Sequence, residues 1–123
     1  MLKYTILEPE GIVVLNPNAS LSQEDFAGLS ATVDAYLADH SKIHGVLIQA
    51  KSFPGWESFA GFVAHIHFVR DHHRKVERVA LVTDSPIARV AEALAKHFTA
   101  ARIKVFPFAV SDAALAWLKT PSA

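Results

Sequence analysis

Two apolar runs constrain this chain more than anything else in it: Gly45-Val46-Leu47-Ile48-Gln49-Ala50 and Arg78-Val79-Ala80-Leu81-Val82. Runs this short and this apolar suit strands buried on both faces, and such strands belong to a parallel sheet covered by helices. The rest of the chain supplies those helices. Ser22 to Asp39 reads as the first, with Ser22 as N-cap and Asp25 three residues on as a capping box. Phe26, Leu29, Val33, Tyr36 and Leu37 form its apolar stripe. A second helix is predicted over Trp56 to Arg70. A third begins with Ser85 as N-cap and Pro86 at the first helical position and runs to Phe98. A last short helix starts at Ser111 and Asp112 and buries Ala114, Trp117 and Leu118.

Leu2 to Leu7 and Ile12 to Leu15 read as strands joined by the turn Pro9-Glu10-Gly11, which makes them an antiparallel pair. Ile103 to Phe106 is the last strand. The predicted fold is therefore α/β: a mixed, mostly parallel five-stranded sheet with an N-terminal hairpin and about four helices. At 123 residues the chain holds one domain, residues 1–123. Sheets of this kind place ligands beside the carboxyl ends of their strands, here 16–22, 51–56, 83–86 and 107–111.

Composition removes several function classes. With no Cys there is no disulfide framework, thiolate metal site or cysteine nucleophile. Net charge is zero, which argues against a sequence-independent nucleic-acid binder. That zero conceals a split: residues 1–69 carry 3 basic and 7 acidic side chains, residues 70–123 carry 9 and 5. The N-terminus has no signal-peptide pattern and no window is apolar enough to span a bilayer, so the expected location is the cytoplasm.

Catalytic patterns are missing. The five glycines build neither a phosphate loop nor a dinucleotide fingerprint, and there is no Gly-x-Ser-x-Gly elbow. His65 and His67 lie two apart on a predicted helix, so their side chains point about 200° apart and cannot share an ion. His67 and Asp71 are spaced to hydrogen-bond, but two ligands make a weak metal site. His72 and His73 read as surface or interface residues at a helix end. Asp84 and Ser85 follow a strand, where Asp84 supports the turn and Ser85 caps a helix. Glu57 complements a helix N-terminus. No catalytic residue, metal or cofactor is expected.

The second helix carries surplus hydrophobe. With Phe59 at zero on a helical wheel, Trp56, Val63 and Ile66 fall within roughly 60°, an ordinary core stripe. Phe62 and Val69 widen it, while Phe68 lies about 180° away. Phe68 suits packing under a neighbouring loop, contact with a partner chain, or facing a lipid or an apolar ligand. Phe53, Trp56 and Phe59 cluster near a strand's carboxyl end, and Gly55 and Gly61 would let this region shift as a lid. Arg70-Asp-His-His-Arg-Lys-Val-Glu-Arg78 follows at once. It reads either as a solvated loop whose cations complement the helix C-terminus or as a patch for anionic headgroups.

The opening hairpin, Phe53-Pro-Gly-Trp56, the aromatic helix to Arg70, Arg78-Val-Ala-Leu-Val-Thr-Asp84, and Ile103-Lys-Val-Phe106 with Ala114-Leu-Ala-Trp117-Leu together resemble the bacterial SpoIIAA-like proteins, within the wider STAS and CRAL-TRIO-like fold. The resemblance covers nearly the whole chain. It implies a small α/β domain that binds a lipophilic molecule or associates with a membrane, with helices that open and close. STAS anti-sigma-factor antagonists carry a phosphorylated Ser at the start of the helix after the third strand. Ser58 occupies that place, in the context Trp56-Glu57-Ser58-Phe59 where those proteins have Asp-Ser-Ser-Gly.

The leading expectation is a non-enzymatic domain that binds a lipophilic small molecule or a membrane surface, peripheral to the inner membrane face. Phe53, Trp56, Phe59, Phe62 and Phe68 would contact the ligand, and Arg74 and Lys75 the headgroups. The alternative is a STAS-type protein-interaction module, phospho-switched at Ser58 and bound to a regulatory protein. An enzyme ranks third, and a homodimer is compatible with all three.

Overall fold

The computed structural model describes residues 2–7, 10–51, 59–84 and 102–120, with backbone alone for 59–63, 66 and 73. Within them the chain forms strands β1 (Leu2–Leu7), β2 (Ile12–Pro17), β3 (Ile43–Gln49), β4 (Val76–Val82) and β5 (Arg102–Phe106). The helices are α1 (Gln23–Asp39), α2 (Phe59–His72) and α3 (Ser111–Lys119), and short 3-10 turns occupy His73–Lys75 and Phe108–Val110. The helix predicted after Pro86 lies outside the described residues.

The strands lie in the order β1-β2-β3-β4-β5. β1 and β2 pair antiparallel, with Tyr4 opposite Leu15, and all later neighbours pair parallel, as Leu47 opposite Ala80 and Leu81 opposite Val105 show. The sheet is therefore the predicted mixed, mostly parallel one. β2, β3 and β4 follow one another in chain order, so the two crossovers between them, being of one hand, place α1 and α2 on one face. α1 and α2 pack against each other on that face, and α3 covers β3 and β4 from the other.

Strand alternation builds the two cores. Ile12, Leu47, Ala80, Val82 and Phe106 face Ala114 and Leu118 of α3. Val13, Leu15, Val46 and Ile48 face Leu29 and Val33 of α1 and Phe68 of α2. Burial on both faces explains why these segments read as unbroken apolar runs.

Local chemistry fixes the ends. The capping box forms as predicted: Asp25 N donates to Ser22 Oγ at 3.1 Å and Ser22 N to Asp25 Oδ2 at 2.9 Å. Leu2 N also donates to Asp25, at 3.3 Å, tying β1 to α1. Burial pushes this carboxyl up, but the N–H of Ser22, its hydroxyl and the N–H of Leu2 outweigh that and hold it below its ordinary value. Gly11 turns the hairpin at φ 71, and its carbonyl accepts from His44 N at 2.9 Å, which stitches the turn to β3. A Cβ there would lie 2.8 Å from the Tyr36 hydroxyl.

At the amino ends of β3 and β4 the side chains of Arg78 and His44 receive the C-terminus of α3. Arg78, buried, donates from Nη1 to Trp117 O at 2.8 Å, to Thr120 O at 3.0 Å and to the Thr120 hydroxyl. His44 contacts Thr120 O through Nε2 at 3.1 Å and Glu77 Oε2 through Nδ1 at 2.8 Å. At the opposite ends Asp84 ties neighbouring segments together. Its N–H donates to Lys51 O at 3.1 Å and its Oδ1 accepts from Phe108 N at 3.0 Å, joining the chain after β3 to that after β5.

Candidate functional site

A groove of about 450 Å³ lies between α1 and α2. Each helix contributes one stripe of the same spacing: Gln23, Phe26, Ala27 and Ser30 from α1, and Ala64, His67, Phe68 and Asp71 from α2. Residues at i, i+3, i+4 and i+7 share one helix face, so two neighbouring helices turn these stripes toward each other. Ala27, Ser30 and Ala64 are small and leave the volume open. Phe26 and Phe68 give an apolar floor, while Gln23, His67 and Asp71 place polar groups at the rim. Apolar walls with few polar groups are the usual make-up of a small-molecule site.

A ladder of rings holds the floor. Phe26 stacks on His65 at 4.8 Å between centroids and meets Phe68 at 6.3 Å, and Phe68 stacks on His72 at 4.4 Å. His72 is buried. Its Nδ1 lies 2.8 Å from Phe68 O and its Nε2 2.9 Å from Asp34 Oδ1. Both partners are acceptors, so the two bonds form together only when both ring nitrogens carry hydrogen. This contact ties the end of α2 to α1. Below the floor, Phe68 and His72 also border a void of about 30 Å³ walled by Val13, Leu29, Val46 and other apolar side chains.

Burial lowers the His65 pKa from its ordinary value of 6.5, because the packed ring disfavours the charged form. A depressed histidine contributes stability that is present above the unfolded pKa and is lost as pH falls through the folded one. Thermal melts should therefore show the wild type losing stability as pH drops below about 6.5. His65→Leu keeps an apolar contact with Phe26 and should lose less over the same range; parallel curves for the two proteins would disprove this role for His65.

Two expectations about α2 are corrected. The wheel anchored at Phe59 turns Phe68 outward, but Phe68 is half-buried and packs into the core with Val46, Ile48 and Leu29. His72 is a buried tie between helices and not a surface residue, because the Phe68 carbonyl and Asp34 satisfy its ring. The remaining candidates divide as follows. Arg74 and Lys75 are exposed on the 3-10 turn after α2. Phe59 and Phe62 stand in the first turns of α2, with their side chains outside the described set. Phe53, Trp56 and Ser58 lie outside the described residues. Asp71 pairs with Arg70 Nε at 3.0 Å, which lowers its pKa. No group of three or more potential metal ligands occurs among the described residues, and no described helix is long and apolar enough to cross a membrane.

The α1 half of the groove has no counterpart in the sequence-based candidates. Its signal is the stripe Gln23, Phe26, Ala27, Ser30, which is visible in the sequence but meaningless until α2 lies beside it.

Comparison with known proteins gives two findings. A family model described as SpoIIAA-like matches residues 12–119. A crystal structure of an uncharacterised protein with a SpoIIAA-like fold from Shewanella loihica PV-4 superposes with a TM-score of 0.78 at 20% sequence identity, covering 96% of this chain and 92% of that one. At this identity the likeness speaks for the fold alone. No curated protein matches.

Proposed function

The chain belongs to the SpoIIAA-like family, and on that premise we propose that it is a non-enzymatic binding domain that holds a lipophilic small molecule in the α1–α2 groove, next to a membrane surface. The observation that carries this reading is the groove itself: about 450 Å³, floored by Phe26 and Phe68 and rimmed by Gln23, His67 and Asp71. That volume lies in the range of ordinary ligand pockets. Phe53, Trp56, Phe59 and Phe62 extend the apolar character toward the start of α2 in the sequence. The exposed Arg74 and Lys75 follow the other end of α2, where they would meet anionic headgroups.

A ligand held here would keep its apolar body on the two Phe rings and its polar end at the rim. The tie between His72 and Asp34 fixes the α2 C-terminus, so any opening would swing the other end of the helix. The same paired stripes also fit an amphipathic helix, which keeps the protein-interaction module as the second reading.

The test is native mass spectrometry of protein purified without detergent. The wild type should carry a bound small lipophilic molecule. Ala27→Trp, at an exposed position on the groove wall, should fill the groove and reduce bound ligand at least about tenfold with an unchanged melting temperature. A wild type that carries nothing and takes up no fatty acid, or an Ala27→Trp protein that keeps its ligand, would overturn the groove as the site. A retained polypeptide in place of a small molecule would move support to the second reading.

A further inference from the structure

We infer that a second copy of this chain docks on the α1–α2 face, with α1 of each copy lying on α2 of the other. The inference goes beyond the ligand reading and rests on the charge pattern of this face.

The two helices are neighbours with opposite charge. Gln23–Asp39 contains Glu24, Asp25, Asp34 and Asp39 and no Lys or Arg, a formal charge of −4. Phe59–Lys75 contains Arg70, Arg74 and Lys75 against Asp71 alone, a formal charge of +2. Glu24, Asp34 and Asp39 are exposed on α1, as are Arg70, Arg74 and Lys75 at the end of α2 and on the turn after it. This is the local form of the charge split that the neutral composition conceals.

Direction and shape agree with charge. α1 and α2 each run from the carboxyl end of one parallel strand to the amino end of the next, so they point the same way. Asp34 bonds His72, which sets the two helices level at that height and puts Arg74 and Lys75 near the level of Ala35 and Ala38. Ala27, Ala31, Ala35 and Ala38 form an exposed ridge along α1 with no large side chain to hold a second helix away. A two-fold axis parallel to the helices lays each acidic α1 on the basic α2 of the other copy, and one contact implies the other. A two-fold axis across the helices would lay α1 on α1, acid on acid, and is opposed. Charge therefore selects one symmetric arrangement out of the two that bring these faces together. In it, the second copy also roofs the groove.

The test is light scattering on a sizing column with two charge-reversed variants of the full chain. Ala31→Arg, Ala35→Arg, Ala38→Arg and Asp39→Arg together take α1 from −4 to +1; Arg74→Glu with Lys75→Glu takes α2 and its turn from +2 to −2. All six positions are exposed, and circular dichroism checks that each variant is folded. Wild type should be dimeric at low salt, with affinity falling at least about tenfold when exposed charges are screened at high salt. Each variant alone should be monomeric, since its own faces now repel. The two mixed should form a heterodimer, because both of its contacts are again acid on base. A folded pair of variants that stays monomeric on mixing, variants that dimerise as well as wild type, or a wild type that is monomeric at low salt would each overturn the inference. In the dimer Arg74 and Lys75 face α1 of the other copy instead of headgroups, so the dimer replaces the membrane contact but leaves the groove ligand, which native mass spectrometry reads separately from subunit count; failure of the dimer is therefore distinguishable from failure of the ligand reading.

Discussion

Arg78→Met is expected to destabilise the fold by about 2–4 kcal/mol, a loss readable by urea unfolding followed by far-ultraviolet circular dichroism. A helix leaves its last carbonyls without intrahelical partners. In α3 those of Trp117 and Thr120 are turned onto the sheet, where the guanidinium of Arg78 takes both and packs 5.5 Å over the Trp117 ring. Met has similar reach and no donor. It would bury well but leave those carbonyls without their charged partner, Trp117 O keeping the N–H and hydroxyl of Thr120 and Thr120 O keeping His44 Nε2. Exchanging a buried ion pair for apolar residues is often neutral because both charges leave together. Here the acceptors are backbone and cannot leave, so the contribution of the charged donor is lost with nothing apolar gained in exchange. Lys104→Met is the control. Lys104 also approaches Trp117, at 5.9 Å, but it is exposed and should cost less than about 0.5 kcal/mol. Equal effects for the two variants would rule out Arg78 as the anchor of α3.

Arg78 also marks where the legibility of this fold in its amino-acid sequence ends. Val79 to Val82 reads as a buried strand because its side chains alternate between two covered faces, and periodicity detects burial on both. Arg78 opens that run and reads as the end of a basic segment that begins at Arg70. The segment divides in space: Arg70, Arg74 and Lys75 are exposed, and Arg78 turns under α3. What decides its fate is a pair of carbonyls 39 and 42 residues away, which no local pattern encodes. The start of α1 is legible for the opposite reason, since Ser22 and Asp25 complete their capping box within four residues.

The orientation of α2 is misread by the same logic. Counting hydrophobes chooses the face with Phe59 and Ile66, yet among the described side chains the helix buries His72 and half-buries Phe68. A histidine is an uncommon core residue unless partners satisfy its ring, and here both are acceptors that arrive from the fold: Asp34 from the neighbouring helix and the Phe68 carbonyl from the preceding turn. The groove is illegible in a third way. Its volume comes from small residues, Ala27, Ser30 and Ala64, facing one another across two helices. Absence of bulk on one helix carries no information until the second helix is placed beside it.

The second large effect is expected at the contact between Gly45 and Leu118. A Cβ built on Gly45 would lie 2.9 Å from Leu118 Cδ2 and 3.2 Å from its Cβ, closer than packed carbon atoms tolerate. Leu118 is fully buried and central to the α3 side of the core, so it has little freedom to retreat. Gly45→Ala should therefore cost about 1–3 kcal/mol by overpacking. Leu118→Ala should cost about 2–5 kcal/mol through the cavity it leaves. The two changes have opposite volumes at one point, which makes their combination the sharper measurement. In the double variant the new methyl group occupies part of the space vacated by the leucine, so the loss should fall short of the sum by at least about 1 kcal/mol. Urea midpoints of the four proteins measure that coupling directly. Additivity within about 0.5 kcal/mol would mean that α3 does not seat through this contact. A clear shortfall would show that β3 uses glycine here because α3 must approach its backbone. That close approach also brings the end of α3 within reach of Arg78, so the same seat that excludes a side chain at residue 45 lets a cation from β4 cap the helix.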